Sequence, residues 1–118
     1  MSAGFEDAFQ ALRKIMLAHA GGLVIARDDP GDLVVRTPVL DAKGEAGWFG
    51  TVTIKKSYVA FHLMPLYVQP DLADGLSTGL TRRRQGKTCF NFKRVEPELF
   101  DELAALTASA RRAIDIAG

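Results

Sequence analysis

The chain has 118 residues, 47% of them hydrophobic, enough for one domain with its own core and too few for two. A net charge of +1 with acids and bases interspersed gives no global reason to expect nucleic acid or an anionic membrane as partner. A single cysteine excludes an internal disulfide scaffold and suits a reducing cytoplasm.

Phe5, Phe9, Leu12, Met16 and Ala20 recur at helical spacing. Glu6 and Asp7 lie early in that segment, Arg13, Lys14 and His19 late, and Gly21-Gly22 ends it. The pattern predicts an amphipathic first helix whose charges match its dipole, with His19 on its surface. The acids also stand where a signal peptide would be basic, and no apolar run approaches the roughly 18 residues of a spanning helix, so a cytoplasmic protein without a membrane partner is expected.

Leu23 to Arg27 and Asp32 to Val39 are β-branched runs separated by Asp28-Asp29-Pro30-Gly31, which reads as a hairpin. Asp28, Asp29 and Asp32 are oxygen donors of the kind a hard cation takes, but they lack the spacing of an EF-hand loop and are explained by turn chemistry. Asp41 to Gly47 is a polar connection. Trp48 to Lys55 then alternates with Val52 and Ile54 inward and Thr51 and Thr53 outward, and Lys55-Lys56-Ser57 turns into a fourth strand. Trp48 and Phe49 either anchor a homodimer or other partner or lie under the segment that follows.

Residues Tyr58 to Phe92 concentrate the aromatics, the densest basic run, one of two histidines and the cysteine. In Tyr58 to Leu63, Val59, Phe61 and Leu63 share one face, and Tyr58, Ala60 and His62 the other. In Thr88 to Lys93, Phe90 and Phe92 oppose Cys89, Asn91 and Lys93. If the apolar sides meet the helices, the mixed sides form a pocket floor. Met64-Pro65-Leu66-Tyr67-Val68 is too apolar to remain in solvent and is expected to fold over that floor. A helical turn near Pro70 and a short helix from Ser77 to Gln85, capped by Ser77 and ended by Gly86, should follow.

Gly86-Lys87-Thr88 resembles the end of a phosphate-binding loop, but position 81 is Thr81 where that motif needs glycine, and here a helix precedes it and a strand follows. Cys89 and His62 have the parity for a thiolate–imidazole pair without an acid to orient it, and a lone strand cysteine is more simply a buried small side chain. With no CxxC or HxxxH spacing, neither a metal nor a cofactor is expected. Arg82, Arg83, Arg84 and Lys87, with Lys93 and Arg94, form either a solvated face or an anion-attracting patch; the patch is short, and nucleic acid is not expected. Finally, Glu96-Pro97-Glu98 opens a long helix with the stripe Leu99, Leu103, Leu106, Ala110 and Ile114.

Together these readings predict a single α+β domain over 1–118. It should have two layers: a five-stranded, mainly antiparallel sheet with the N- and C-terminal helices on one face, and a partly helical loop (64–87) over the other. The expected role is non-enzymatic binding of a small anionic ligand or a protein partner at the face lined by residues 58–93. Tyr58, His62, Tyr67 and Asn91 would supply hydrogen bonds, and Arg83, Lys87 and Lys93 charge.

The run Tyr58-Val59-Ala60-Phe61-His62-Leu63-Met64-Pro65 resembles the YdhG-like family of small bacterial domains. So do the Pro70-Asp71-Leu72 turn, the run Gln85-Gly86-Lys87-Thr88-Cys89-Phe90-Asn91-Phe92, and the helix bearing Leu99, Phe100, Leu103 and Leu106. The likeness spans roughly residues 48–112. It implies one YdhG-like domain, and one branch of that family looks like frataxin, which would imply iron binding and delivery to iron–sulfur assembly. The acids available for that alternative are Glu6, Asp7, Asp28, Asp29 and Asp32.

Overall fold

The structure is a computed structural model and describes residues 3–40, 44 and 46–114. The connection expected at Asp41 to Gly47 falls largely outside these residues. Helix α1 (Ala3–Ala18) is followed by strands β1 (Val24–Asp29), β2 (Asp32–Leu40), β3 (Ala46–Ile54) and β4 (Val59–Leu63). Helix α2 (Pro65–Val68), a 3-10 turn (Pro70–Ala73) and helix α3 (Thr78–Arg83) come next. Strands β5 (Arg84–Gln85) and β6 (Cys89–Phe92) precede helix α4 (Pro97–Ala113). Among the described residues no helix is long and apolar enough to cross a membrane.

The strands form one sheet in the order β1-β2-β3-β4-β6-β5, every neighbouring pair antiparallel. Alternation decides the faces. Leu33 and Val35 of β2, Val52 of β3, Val59, Phe61 and Leu63 of β4, and Phe90 and Phe92 of β6 are buried against α1 and α4. The register supports this assignment: Leu33 faces Val52, Val52 faces Phe61, and Phe61 faces Phe90. Helix α1 contributes Ala8, Phe9, Leu12 and Met16, and α4 contributes Phe100, Leu103, Leu106 and Ala110. Phe100 meets the edge of Phe92 with ring centroids 4.8 Å apart, the favoured perpendicular arrangement. Pro97 takes the first helical position of α4, where its missing N–H costs no hydrogen bond.

Three expectations are corrected. The sheet has six strands, because the chain leaves α3 at Arg84 in extended conformation and pairs Arg84 with Phe90 and Gln85 with Cys89. Gly86, with φ 72°, therefore turns the β5–β6 hairpin instead of ending a helix. The segment 64–87 does not cover the mixed face. Its buried residues Leu66, Ala73 and Leu80 join the core cluster, and α2, α3 and the 3-10 turn contact α4. The physical reason is that apolar side chains gain only by meeting apolar area, which the helical layer offers and a floor of Thr51, Thr53, His62, Cys89 and Asn91 does not.

Trp48 and Phe49, for which exposure and burial are both open on sequence grounds, are split. The register jumps from Val35–Gly50 to Arg36–Trp48, so Phe49 is the extra residue of a β-bulge. Phe49 is fully buried, while Trp48 is turned to the open face and is 44% exposed.

Candidate functional site

The face of the sheet away from the helices carries its polar and titratable side chains. Strand β4 lies at its centre, with Thr51 of β3 and Cys89 of β6 directly opposite His62 on either side, and Thr53 and Asn91 opposite Ala60. His62 is half-buried, and its Nε2 lies 3.0 Å from the Thr88 hydroxyl. Thr88 is itself buried and held by its carbonyl, which accepts the Leu63 N–H at 2.7 Å. Burial holds the imidazole below its ordinary pKa, so it is neutral at pH 7. With Nε2 engaged by Thr88, Nδ1 is the ring atom left to meet a ligand.

Next to His62 a cleft of about 280 Å³ is lined by Trp48, Gly50, Thr51, His62 and Met64. The indole of Trp48 forms its wall. On the far side of that wall, the Arg36 guanidinium carbon stands 3.9 Å from the indole ring centroid, a cation–π stack across the β2–β3 pair. A separate depression of about 270 Å³ is lined by Ala26, Arg27, Val34, Arg36 and Trp48.

Cys89 and His62 face each other in register but do not form a nucleophilic pair. The thiol donates to Asn91 Oδ1 at 3.3 Å, and the imidazole meets Thr88. Burial pushes the Cys89 thiol up, with Lys55 exerting a smaller opposite pull. A thiol held in its neutral form is a poor nucleophile.

The seven residues expected at the site fall in different places. His62 and Asn91 lie on the mixed face. Tyr58 is half-buried in the β3–β4 turn, at the opposite end of β4 from Met64, where its carbonyl accepts the Lys55 N–H at 2.7 Å. Lys93 is exposed just beyond β6, at that same far end, since its neighbour Phe92 pairs with Val59. Tyr67 and Lys87 meet at a corner of the molecule, with the ammonium 5.6 Å from the phenol ring centroid, and Tyr67 is 64% exposed. Arg83 is withdrawn from any ligand: its Nε and Nη2 donate to Glu96 at 2.8 and 2.7 Å. Arg84 likewise turns inward and donates to the carbonyl of Lys87. The basic run is therefore mostly structural.

The acidic residues are similarly engaged. Arg13 donates to both carboxylate oxygens of Asp28, and Arg27 Nη1 donates to Asp32 at 2.8 Å. The guanidinium of Arg13 holds the Asp28 carboxyl below its usual range. Among the described residues, no three His, Cys, Asp or Glu side chains converge as metal ligands do.

The reading of the sequence passed over Arg36, Met64 and Thr88 as site residues. Thr88 had one signal, a hydroxyl at the start of a strand whose neighbour carries a histidine. Arg36 had none, because its stacking on Trp48 depends on a bulge that composition does not reveal. Comparison of the chain with protein families, with characterised proteins and with solved structures finds no match.

Proposed function

We propose that the chain is a non-enzymatic, cytoplasmic binding domain that takes a small anionic ligand on the uncovered face of its sheet. The observation that carries this reading is the cleft between Trp48 and His62, where an exposed indole, the Thr51 hydroxyl and a neutral imidazole converge. Sites of this kind pair apolar walls with a few placed polar groups. The Arg36 guanidinium stacks on the same indole. The resemblance to YdhG-like domains is retained as part of the proposal, since the run Tyr58 to Phe92 that carries it supplies β4 and β6, the centre of this face.

The test is a melting-temperature titration with phosphate and carboxylate compounds. A ligand that binds only the folded state stabilises it by RT ln(1 + [L]/Kd) and so raises the melting temperature with ligand concentration. The shift should disappear in His62→Ala and Thr51→Val, whose folds are checked by circular dichroism, and should persist in Lys93→Ala. A flat response across both compound classes overturns the proposal.

A second reading, a protein partner or a second copy of the chain, is favoured by one observation. Val68 is 84% exposed beside Tyr67, next to a groove lined by Trp48, Met64, Pro65, Gln69 and Ile114. Sedimentation of the protein against a Val68→Asp variant separates a dimer from a monomer. No observation favours iron delivery, because Asp28 and Asp32 are already bound by arginines.

A further inference from the structure

We infer that the ligand of this cleft carries a planar aromatic ring that stacks on the indole of Trp48, so that the ligand class is a small aromatic carboxylate. The inference rests on the anion-binding reading above and narrows it.

Four observations lead there. The first is the orientation of Trp48. Apolar side chains of this size normally contribute to the core, and the adjacent Phe49 does so completely. The bulge at β2–β3 is the device that inverts the alternation and turns the indole outward, and bulges recur where a side chain must be re-aimed. Second, one side of the indole is already occupied. Arg36 stacks there, and the depression containing Arg36 is separate from the cleft containing His62, with Trp48 common to both.

Third, the cleft is small. At about 280 Å³ it lies at the lower limit of ordinary ligand sites, which suits a single ring and not an extended cofactor. Fourth, the groups around it match the parts of such a ligand. The indole and the Met64 thioether take the flat ring and its edge, since sulfur approaches aromatic edges favourably. The Thr51 hydroxyl and the His62 imidazole lie where polar atoms at the ring's periphery would need donors.

Trp48 is the chain's only tryptophan, so its emission reports on the surroundings of this one indole, and the His62→Ala and Thr51→Val variants assign any change to the cleft. The experiment uses the intact chain and three probes: benzoate, which has ring and charge, benzamide, which keeps the ring without the charge, and acetate, which keeps the charge without the ring. Emission excited at the red edge of indole absorption and the melting temperature are followed for each, with N-acetyltryptophanamide as control for collisional quenching. Benzoate should change Trp48 emission saturably, bind about tenfold more tightly than acetate, in keeping with the worth of one aromatic stack, and bind more tightly than benzamide, which lacks the charge. Trp48→Ala should lose that advantage and Trp48→Phe should keep most of it, both read from the melting temperature.

If acetate and benzoate raise the melting temperature equally while Trp48 emission does not move, the aromatic class is wrong and anion binding stands. If benzamide equals benzoate, the charge is irrelevant, and both the carboxylate and the anion reading fall. If no probe alters either signal, both readings fall together.

Discussion

Gly50 and His62 stand so close across β3 and β4 that a β-carbon on Gly50 would lie 2.6 Å from the His62 carbonyl oxygen. It would also lie 2.5 Å from the Met16 methyl carbon. The methionine can move; a carbonyl inside a sheet ladder cannot move without breaking it. Gly50→Ala should therefore destabilise the protein by about 1–3 kcal/mol, the range for forced overpacking. It should also widen the very strand pair that floors the cleft. Denaturant unfolding measures the first effect, and amide exchange at Met64, whose N–H donates to the Phe49 carbonyl, the second. Unchanged stability would show that the β3–β4 pair relaxes freely.

Arg83 and Glu96 close the base of α3 onto the start of α4 through two parallel hydrogen bonds. The contact to Arg83 depresses the Glu96 pKa in the folded state. Its contribution is therefore complete above the ordinary glutamate pKa and is lost as pH falls through the lower folded value. Glu96→Gln should cost up to about 1 kcal/mol at pH 7, given its partial exposure. It should also flatten the decline of stability below pH 4.5, the ordinary value. A double-mutant cycle with Arg83→Gln checks that both effects belong to the pair.

His62 titrates in the opposite chemical sense with the same direction of outcome. Burial lowers its folded pKa beneath the ordinary 6.5, so the unfolded chain takes up the proton first. Stability from this group is complete above pH 6.5 and falls with pH down through the folded pKa. Proton resonances of the His62 ring should show a midpoint below 6.5. A benzoate-bound sample should show a different midpoint if the imidazole contacts the ligand, and an unchanged one if it does not.

The segment between β4 and β6 belongs to the core through a few side chains only. Leu66 and Leu80 are fully buried, whereas Tyr67 and Val68 point outward. Leu80→Ala should cost about 2–5 kcal/mol, the range for buried leucines, and Val68→Ala less than about 0.5 kcal/mol. Comparable losses at the two positions would mean that the segment packs differently.

The periodic parts of this fold were legible in the chain. Phe9, Leu12 and Met16 announced α1, Leu103, Leu106 and Ala110 announced α4, and parity correctly placed His62, Cys89 and Asn91 on one face. The illegible parts depend on distant partners or on single-residue slips. Nothing in Trp48-Phe49-Gly50 reveals which residue is the extra one, yet that slip decides whether the indole is buried or displayed. Arg83 reads as a free cation until Glu96, thirteen positions later, is brought beside it. The direction taken by 64–87 was misjudged because its apolarity shows that it must be buried without showing against which layer.

The two ends of that segment are stitched to each other, since Leu63 donates to the carbonyl of Thr88 and His62 meets the Thr88 hydroxyl. Such a closure makes the sheet indifferent to what is threaded between, for lengthening a closed loop costs little. Residues 64–83, which end before β5, should thus be exchangeable for a foreign sequence that keeps apolar pegs in the places of Leu66, Ala73 and Leu80. Since Met64 at its root also lines the cleft, transplanting this segment is a route by which recognition could diverge while the scaffold stays the same.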